Sequence, residues 1–205
     1  DGVESNTVSF GVEDTDDDSP IISAIDPEEG GIGQYVTISG SGFGTSVGSV
    51  WFEHPTLGAA QGSIEFPDAC SESFWSASEI VIIVPEEFSN EDDVEAGDYE
   101  LYIEKRSGGE SDAVDFEVTE DDPTPGICAI DPDDGESGDT VTIYGDNFGS
   151  STGSIEFYDG SSASVEDDDW SNDEIVTSVP SDAVTGPVFI TNNEGEDSNS
   201  SNFEI

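Results

Sequence analysis

The chain has 205 residues and carries 50 Asp and Glu against two Lys and Arg, which gives a formal net charge of −48. A phosphate backbone and an anionic membrane surface both require a basic protein surface, so this charge excludes nucleic acid and anionic membranes as partners. The longest apolar run, Ile80 to Val84, is far too short to span a bilayer, and we expect no membrane insertion.

The charge also indicates the solvent in which the chain folds. Repulsion among carboxylates opposes compaction unless dissolved ions screen it, and the screening length falls from about 10 Å at 0.1 M salt to about 3 Å at 1 M. Apolar residues still make up 33% of the chain and alternate regularly, so we expect packed domains rather than disorder. Scarce lysine together with excess acid resembles the proteins of extreme halophiles.

The first predicted element is an isolated strand at residues 3–12, whose apolar face consists of Val8, Phe10 and Val12. The same pattern returns at 111–118 and at 198–205, so three such strands accompany only two copies of the rest of the repeat. Two explanations stay open. The strand completes a preceding module of a longer array, or it is donated to the sheet of a neighbouring copy. We assign residues 1–18 to this strand and an acidic linker.

Short apolar runs with period two follow along the chain. Alternation bounded by Gly, Asp, Asn and Ser predicts half-buried antiparallel strands, and no stretch has a sustained helical period. About seven short strands in roughly 80 to 100 residues is the size of an immunoglobulin-like sandwich, so we predict an all-β fold. The runs of the first half are Val36/Ile38, Val50/Phe52, Ile80/Ile82/Val84, Tyr99/Leu101/Ile103 and Val114/Phe116/Val118.

The chain contains this unit twice. Residues 22–44 are repeated at 127–149, and the motif Ile-Asp-Pro at 25–27 returns at 130–132. Self-similarity at a fixed spacing marks a tandem array. We therefore predict a first domain at 19–119, a linker at 120–124 and a second domain at 125–205, with an insertion between Phe52 and Trp75 that is specific to the first.

The order of motifs in each repeat resembles the IPT/TIG family of immunoglobulin-like domains. An opening Pro-x-Ile-x-x-Ile-x-Pro is followed by Val-Thr-Ile-x-Gly-x-x-Phe-Gly, then by Trp-Ser-x-x-Glu-Ile and Val-Pro. The first copy carries Pro20, Ile22, Ile25, Pro27, Gly31, Gly33, Gly40, Phe43, Gly44, Trp75, Ile80 and Pro85. The second carries Pro125, Ile127, Ile130, Pro132, Gly138, Gly145, Asn147, Phe148, Gly149, Trp170, Ile175 and Pro180. The resemblance implies two tandem sandwiches, and TIG-like domains also accompany secreted starch-acting enzymes and adhesion receptors.

These motifs predict structural roles. Glycine at 40, 42 and 44 allows positive φ at a turn where a side chain would clash. We expect the phenylalanines of the two Phe-Gly pairs to pack beneath that turn and the two tryptophans, Trp75 and Trp170, to fill the cores.

Acidic runs cluster where the modules begin, and Ca²⁺ takes six to eight oxygen ligands. Carboxylates beside a linker could bind a structural calcium ion jointly from two domains, although no run matches a spaced calcium-loop motif. Solvated surface charge is the alternative in a chain this acidic. The fold requires no cofactor. The candidate calcium ligands are Asp16, Asp17, Asp18, Glu120, Asp121, Asp122, Asp131, Asp133 and Asp134.

The two cysteines, Cys70 and Cys128, both fall outside the repeated pattern. Cys70 lies in the insertion of the first module, and Cys128 replaces Ser23 of that module. A bridge between them would join the two modules and would suit an oxidising compartment. The alternative interpretation is that the two cysteines are unpaired thiols.

The sequence gives little support for an enzyme. His54, the single histidine, precedes Pro55 in a predicted loop, so a nucleophile–histidine arrangement would depend on one exposed residue. We therefore predict that the chain is not an enzyme. The triplet at 199–201 makes Asn199 a candidate glycosylation site.

The sequence thus favours a non-enzymatic protein at the cell surface or outside the cell. The first hypothesis is a structural subunit of a filament or stalk, in which copies assemble head to tail because residues 3–12 add to a neighbour's sheet. The alternative is an adhesion module of a larger secreted protein that binds surface glycans or proteins. Trp51 and Phe74 are the predicted exposed aromatic platform of that alternative.

Overall fold

The computed structural model describes residues 19–66, 70 and 74–205, which form two successive sets of strands. The predicted N-terminal strand with Val8, Phe10 and Val12 lies outside the described residues. The first module consists of β1 (Ile21–Asp26), β2 (Glu29–Gly30), β3 (Tyr35–Ser41), β4 (Ser49–His54), β5 (Gly58–Gln61), β6 (Glu79–Ile83), β7 (Gly97–Glu104) and β8 (Val114–Val118).

The second module repeats this order with one strand fewer. It consists of β9 (Gly126–Asp131), β10 (Thr140–Asp146), β11 (Ser154–Phe157), β12 (Ser161–Ala163), β13 (Glu174–Ser178), β14 (Gly186–Thr191) and β15 (Ser201–Phe203). Two 3₁₀ turns, at Tyr158–Gly160 and Asp167–Asp169, flank β12. In the part of the chain that the structure describes, no helix is long and apolar enough to cross a membrane.

Each module is a sandwich of two sheets. The first stacks a sheet of order β1-β3-β6 on one of order β2-β8-β7-β4-β5, and the second stacks β13-β10-β9 on β12-β11-β14-β15. The short parallel pairing of Glu29 with Glu117 in the first module returns as a single parallel bridge between Asp134 and Glu204. The two modules therefore share one topology, and the predicted all-β fold of tandem immunoglobulin-like sandwiches is confirmed.

Period-two alternation places the predicted apolar runs between the sheets. The first core buries Val36, Ile38, Phe52, Leu101 and Phe116, with their alternation partners on the outer faces. The equivalent second core is built around Ile143, Phe148, Ile155, Trp170, Ile190 and Phe203. Trp170 is buried as predicted, whereas Trp75 is only partly buried and packs at the margin of the first core.

The glycine-rich turn after β3 has two separate physical requirements. Gly42 and Gly44 adopt positive φ, as predicted, and Asn147 takes the place of Gly42 in the second module with φ of 60°. The prediction is wrong for Gly40, which is needed for close packing instead. A Cβ at this position would lie 2.0 Å from the carbonyl oxygen of Ile21 and 2.6 Å from the ring of Phe43.

Both modules possess their own closing strand. β8 pairs along β7 from Gly97 to Leu101, and β15 pairs along β14 from Gly186 to Val188. In the described part of the chain, neither sandwich leaves this position open for a strand from another copy. A donated strand would therefore have to pair with an outer edge of a sheet.

Candidate functional site

The sheet face of β3 in the first module packs against the second module. Tyr35, Val36, Thr37 and Ile38 are all buried, which breaks the alternation expected of an outer sheet. Val36 and Ile38 point into the first core, so Tyr35 and Thr37 point the opposite way, toward β9 and the residues that precede β15. This contact, the module junction, covers polar as well as apolar side chains.

Asn199 is the centre of the junction. Its side chain is fully buried, and its Nδ2 donates to Thr37 Oγ1 (2.7 Å) and to the carbonyl of Ile127 (2.8 Å). Its Oδ1 accepts from the backbone N–H of Ile127 at 2.7 Å, and Thr37 in turn donates to the carbonyl of Ser200. Both amide hydrogens are thus used inside the protein. The prediction that Asn199 is glycosylated is wrong for this fold, because a glycan would have to replace one of those hydrogens in a space without solvent.

Two carboxylates of the first module accept hydrogen bonds from the chain that follows Asn199. Asp26 accepts from the backbone N–H and the hydroxyl of Ser200. Glu79 accepts from the hydroxyl of Ser201 (3.1 Å) and from the side-chain amide of Asn202 (2.6 Å). Such bonds to a charged acceptor are stronger than those between neutral groups.

Burial raises the pKa of Glu79, and the negative charge of Asp133 adds to that increase. The hydrogen bonds from Ser201 and Asn202 act in the opposite direction, because they stabilise the ionised carboxylate. Burial is the largest of these effects. The ionised form of Glu79 therefore makes the junction less stable than the protonated form does.

A disulfide between Cys70 and Cys128 joins the two modules, with Cα atoms 5.6 Å apart. The bond contacts Tyr35 in a small apolar cluster, and the rings of Tyr35 and Phe66 meet edge to face at 5.5 Å. Burial and the negative charge of Asp146 raise the pKa of Tyr35 to about 12. The sequence left open a bridge or two unpaired thiols, and the structure contains the bridge.

The linker is also fixed to the first module. The backbone N–H and the hydroxyl of Thr124 donate to Gln34 Oε1 at 2.8 and 3.2 Å. Gly31 lies against the carbonyl of Asp121, where a Cβ would approach its oxygen to 1.9 Å. Gly126 lies beneath the ring of Tyr35 in the same way. Close backbone packing therefore determines how the second module is oriented.

The described carboxylates of the predicted calcium set are Glu120, Asp121, Asp122, Asp131, Asp133 and Asp134. Within residues 19–66, 70 and 74–205, no group of three or more His, Cys, Asp or Glu is arranged to hold a metal ion. The other members of the set, Asp16, Asp17 and Asp18, lie outside the described residues. A calcium site that includes them stays a prediction.

The predicted aromatic platform is only partly present. Phe74 is buried, with 8% of its surface exposed, and packs against Phe66, so its assignment to an exposed platform is wrong. Trp51 is partly exposed on β4, where it lies directly opposite Tyr102 of β7 and Gln61 of β5. Tyr102 is a further candidate that the sequence reasoning missed, although its place between Leu101 and Ile103 marks it as outward-facing.

His54 has a local structural role. Its Nδ1 accepts hydrogen bonds from the backbone N–H groups of Thr56 and Leu57, both at 3.2 Å, and so closes the turn between β4 and β5. The histidine that would be required for a nucleophilic mechanism is therefore engaged as an acceptor at a hairpin.

Comparison with known proteins gives one curated relative. Cyclomaltodextrin glucanotransferase of Geobacillus stearothermophilus is 34% identical over 105 residues, which is 51% of this chain and 12% of that protein. This chain therefore spans only a small part of the relative's length.

Among solved structures, gamma-CGTase of alkalophilic Bacillus clarkii matches 91% of this chain and 26% of its own, with 18% identity and a TM-score of 0.39. The SGBP-B of Bacteroides ovatus, in complex with a mixed-linkage heptasaccharide, matches 88% of this chain and 41% of its own, with 16% identity and a TM-score of 0.34.

The family comparison agrees with the repeated motifs. The IPT/TIG domain matches residues 20–60 and 125–205, which together make up more than half of the chain and fall in both sandwiches. The chain therefore belongs to the IPT/TIG domain family.

Proposed function

We propose that this chain is a non-catalytic binding unit of a larger extracellular protein, in which two TIG domains act as one rigid body that binds carbohydrate. The observation that carries the proposal is the module junction. A disulfide, a buried amide and two carboxylates bind the second module to the first in one orientation. Such a unit can hold a ligand at a fixed position relative to the parts of the protein on either side of it.

The chemistry of the junction supports the proposed location. Disulfides persist in secreted and surface proteins and are rare in reducing compartments. An extracellular or cell-surface location therefore suits the Cys70–Cys128 bridge.

The carbohydrate partner is supported by the sequence similarity to a segment of cyclomaltodextrin glucanotransferase. That segment is 12% of the relative. We infer that this chain shares with it an accessory role beside carbohydrate rather than the reaction itself, because the described residues form two packed sandwiches whose single histidine closes a turn.

Assembly into a filament through Val8, Phe10 and Val12 remains a prediction. It receives less support than glycan binding, because β8 and β15 already occupy the closing-strand positions of the two described sandwiches.

Affinity gel electrophoresis tests the proposed function. The protein would be run through gels that contain soluble starch, xyloglucan or mixed-linkage β-glucan, and the same mixtures would be assayed for released reducing ends. We expect retardation by at least one polysaccharide without release of sugar. Equal mobility in all gels, together with an empty glycan array, would contradict carbohydrate binding. Release of sugar would contradict the non-catalytic assignment.

A further inference from the structure

The outer face of the five-stranded sheet in the first module carries a row of three side chains on adjacent strands, Gln61 of β5, Trp51 of β4 and Tyr102 of β7. They share this face because their strand neighbours Val50, Phe52, Leu101 and Ile103 point into the core. We propose that this aromatic row binds a neutral polysaccharide chain, with successive sugar rings stacked on Trp51 and Tyr102. The inference rests on the proposed function and names its ligand and its site.

The geometry suits a linear chain of sugar rings. Adjacent strands lie about 4.8 Å apart, so the two aromatic rings begin roughly one sugar unit from each other. Both side chains are partly exposed, which leaves their apolar surface accessible while the strands fix their positions. Sugar rings present apolar C–H groups on their faces, and burial of these groups against an aromatic ring is favourable.

Hydrogen bonds preorganise the row before any ligand arrives. Trp51 Nε1 donates to Glu104 Oε2 at 3.2 Å, which restrains the indole. Gln61 Nε2 donates to Ser49 Oγ at 3.2 Å. Side chains that are already ordered lose little rotamer freedom on binding, so more of the contact energy appears as affinity.

The charge around the row selects against anionic ligands. Burial raises the pKa of Tyr102, and the negative charges of Glu53, Glu110 and Glu104 raise it further. This field repels sulfated or uronic polymers, whereas the hydroxyls of a neutral sugar can donate to the surrounding carboxylates. A cationic ligand is the rival occupant. Cation recognition usually encloses the charge among several aromatic faces, whereas these two rings lie side by side on an open sheet.

The second module supplies an internal comparison. At the equivalent register positions it carries Ser162, Glu156 and Phe189, with Glu156 opposite both of the others. A carboxylate thus replaces the central tryptophan. The aromatic row is therefore specific to the first module, and binding is assigned to that module alone.

The test compares matched variants of the full chain by affinity gel electrophoresis and titration calorimetry, with the neutral polysaccharide that gives the strongest retardation. We expect Trp51→Ala and Tyr102→Ala each to weaken binding at least tenfold, Trp51→Phe to retain most of it, and the controls Glu156→Ala and Phe189→Ala to leave it unchanged. Unchanged melting temperatures verify that the variants fold. Binding should persist in 1 M NaCl, because an uncharged ligand is not held by ionic attraction.

Three outcomes would overturn the inference. If the wild type and both alanine variants bind a neutral glycan equally well, the row is not the site, although the proposed function stands. If binding of the neutral polysaccharide disappears in 1 M NaCl, or if polylysine binds in a Trp51-dependent manner at that salt concentration, then ionic attraction rather than stacking of a neutral sugar accounts for binding at the row. If the wild type binds no polysaccharide at all, the inference and the proposed function fail together.

Discussion

The side-chain amide of Asn199 donates to the hydroxyl of Thr37 across 2.7 Å, so two residues 162 positions apart meet at the boundary between the modules. Both are buried, and the acceptors and donors around them belong to both sandwiches. In the described residues, no buried side-chain nitrogen or oxygen lacks a partner. The two modules thus share a satisfied polar interior, which is a property of one folded unit rather than of independent domains.

Substitution Asn199→Ala should destabilise the protein by about 3 kcal/mol, because it leaves the N–H and C=O of Ile127 and the hydroxyl of Thr37 with lost partners in a buried space. Urea unfolding followed by circular dichroism measures this change. Asn193→Ala, at an exposed loop position, is the control and should be close to neutral. A loss below 1 kcal/mol for Asn199→Ala would show that water takes over these hydrogen bonds.

Removal of the disulfide in the double variant Cys70→Ser/Cys128→Ser should lower the free energy of unfolding by about 4 kcal/mol. The bond closes a loop of 58 residues, and the loss of loop-closure constraint in the unfolded chain sets this magnitude. Unfolding of the wild type with and without reductant measures the same effect. A wild type that responds to reductant no more than the double variant would contradict the bridge in solution.

Stability should depend on pH through Glu79. The pKa of Glu79 in the folded protein lies above the ordinary value of 4.5. The stability that protonated Glu79 contributes is therefore complete below pH 4.5 and is lost as the pH rises through the raised pKa. The unfolding free energy of Glu79→Gln relative to wild type should therefore increase as the pH rises from below 4.5 to neutrality. The exposed control Glu100→Gln corrects for general relief of repulsion. Parallel pH profiles for the two variants would show that Glu79 is not perturbed.

Gly126→Ala should open the junction, because a Cβ at this position would lie 2.4 Å from Cγ of the Tyr35 ring. Overpacking of this kind costs about 1–3 kcal/mol. The control is Ile21→Ala, at the equivalent position of the first module, where the side chain is 61% exposed. Calorimetry measures the melting temperatures of both variants, and that of Gly126→Ala should be the lower. Equal melting temperatures would mean that Tyr35 can move aside without cost.

Salt should raise the melting temperature. With a formal charge of −48, repulsion within the folded chain is reduced when the screening length falls from about 10 Å at 0.1 M NaCl to about 3 Å at 1 M. Calorimetry over this range measures the increase, and a flat profile would contradict it. Repeating the scan with CaCl₂ at constant ionic strength separates screening from calcium binding. The predicted calcium site requires a further rise in melting temperature when CaCl₂ is added at constant ionic strength.

The repeated motifs predicted the fold because each of them specifies local backbone geometry or core packing. Phe43 and Phe148 lie beneath their turns, and the apolar residues of β3 and β10 alternate into their cores as the pattern indicates. The motif could not predict the junction. Val-Thr-Ile is identical in β3 and β10, yet Thr37 is buried against the second module whereas Thr142 is only partly buried. The difference arises from what packs outside the strand, which no local pattern encodes.

The sequence also did not predict which residues would form the junction. Asn199 was a candidate for glycosylation on its triplet alone, and only the three-dimensional contact with Ile127 shows why its amide is unavailable. The two cysteines were a partial exception. Each is specific to one copy of the repeat, which favours a bridge, but their spacing in the sequence does not distinguish a bridge from free thiols.

The position of the bridge also has a mechanical consequence. A pulling force applied between the ends of the chain passes from residue 70 to residue 128 through the covalent bond, so the segment between them, which includes β6, β7 and β8, is shielded from the load. About 200 Å of contour length, from 58 residues at roughly 3.4 Å each, is therefore withheld from extension while the disulfide is intact. Under tension only the chain before residue 70 and after residue 128 can be drawn out, which includes β1 to β5 of the first module and β10 to β15 of the second.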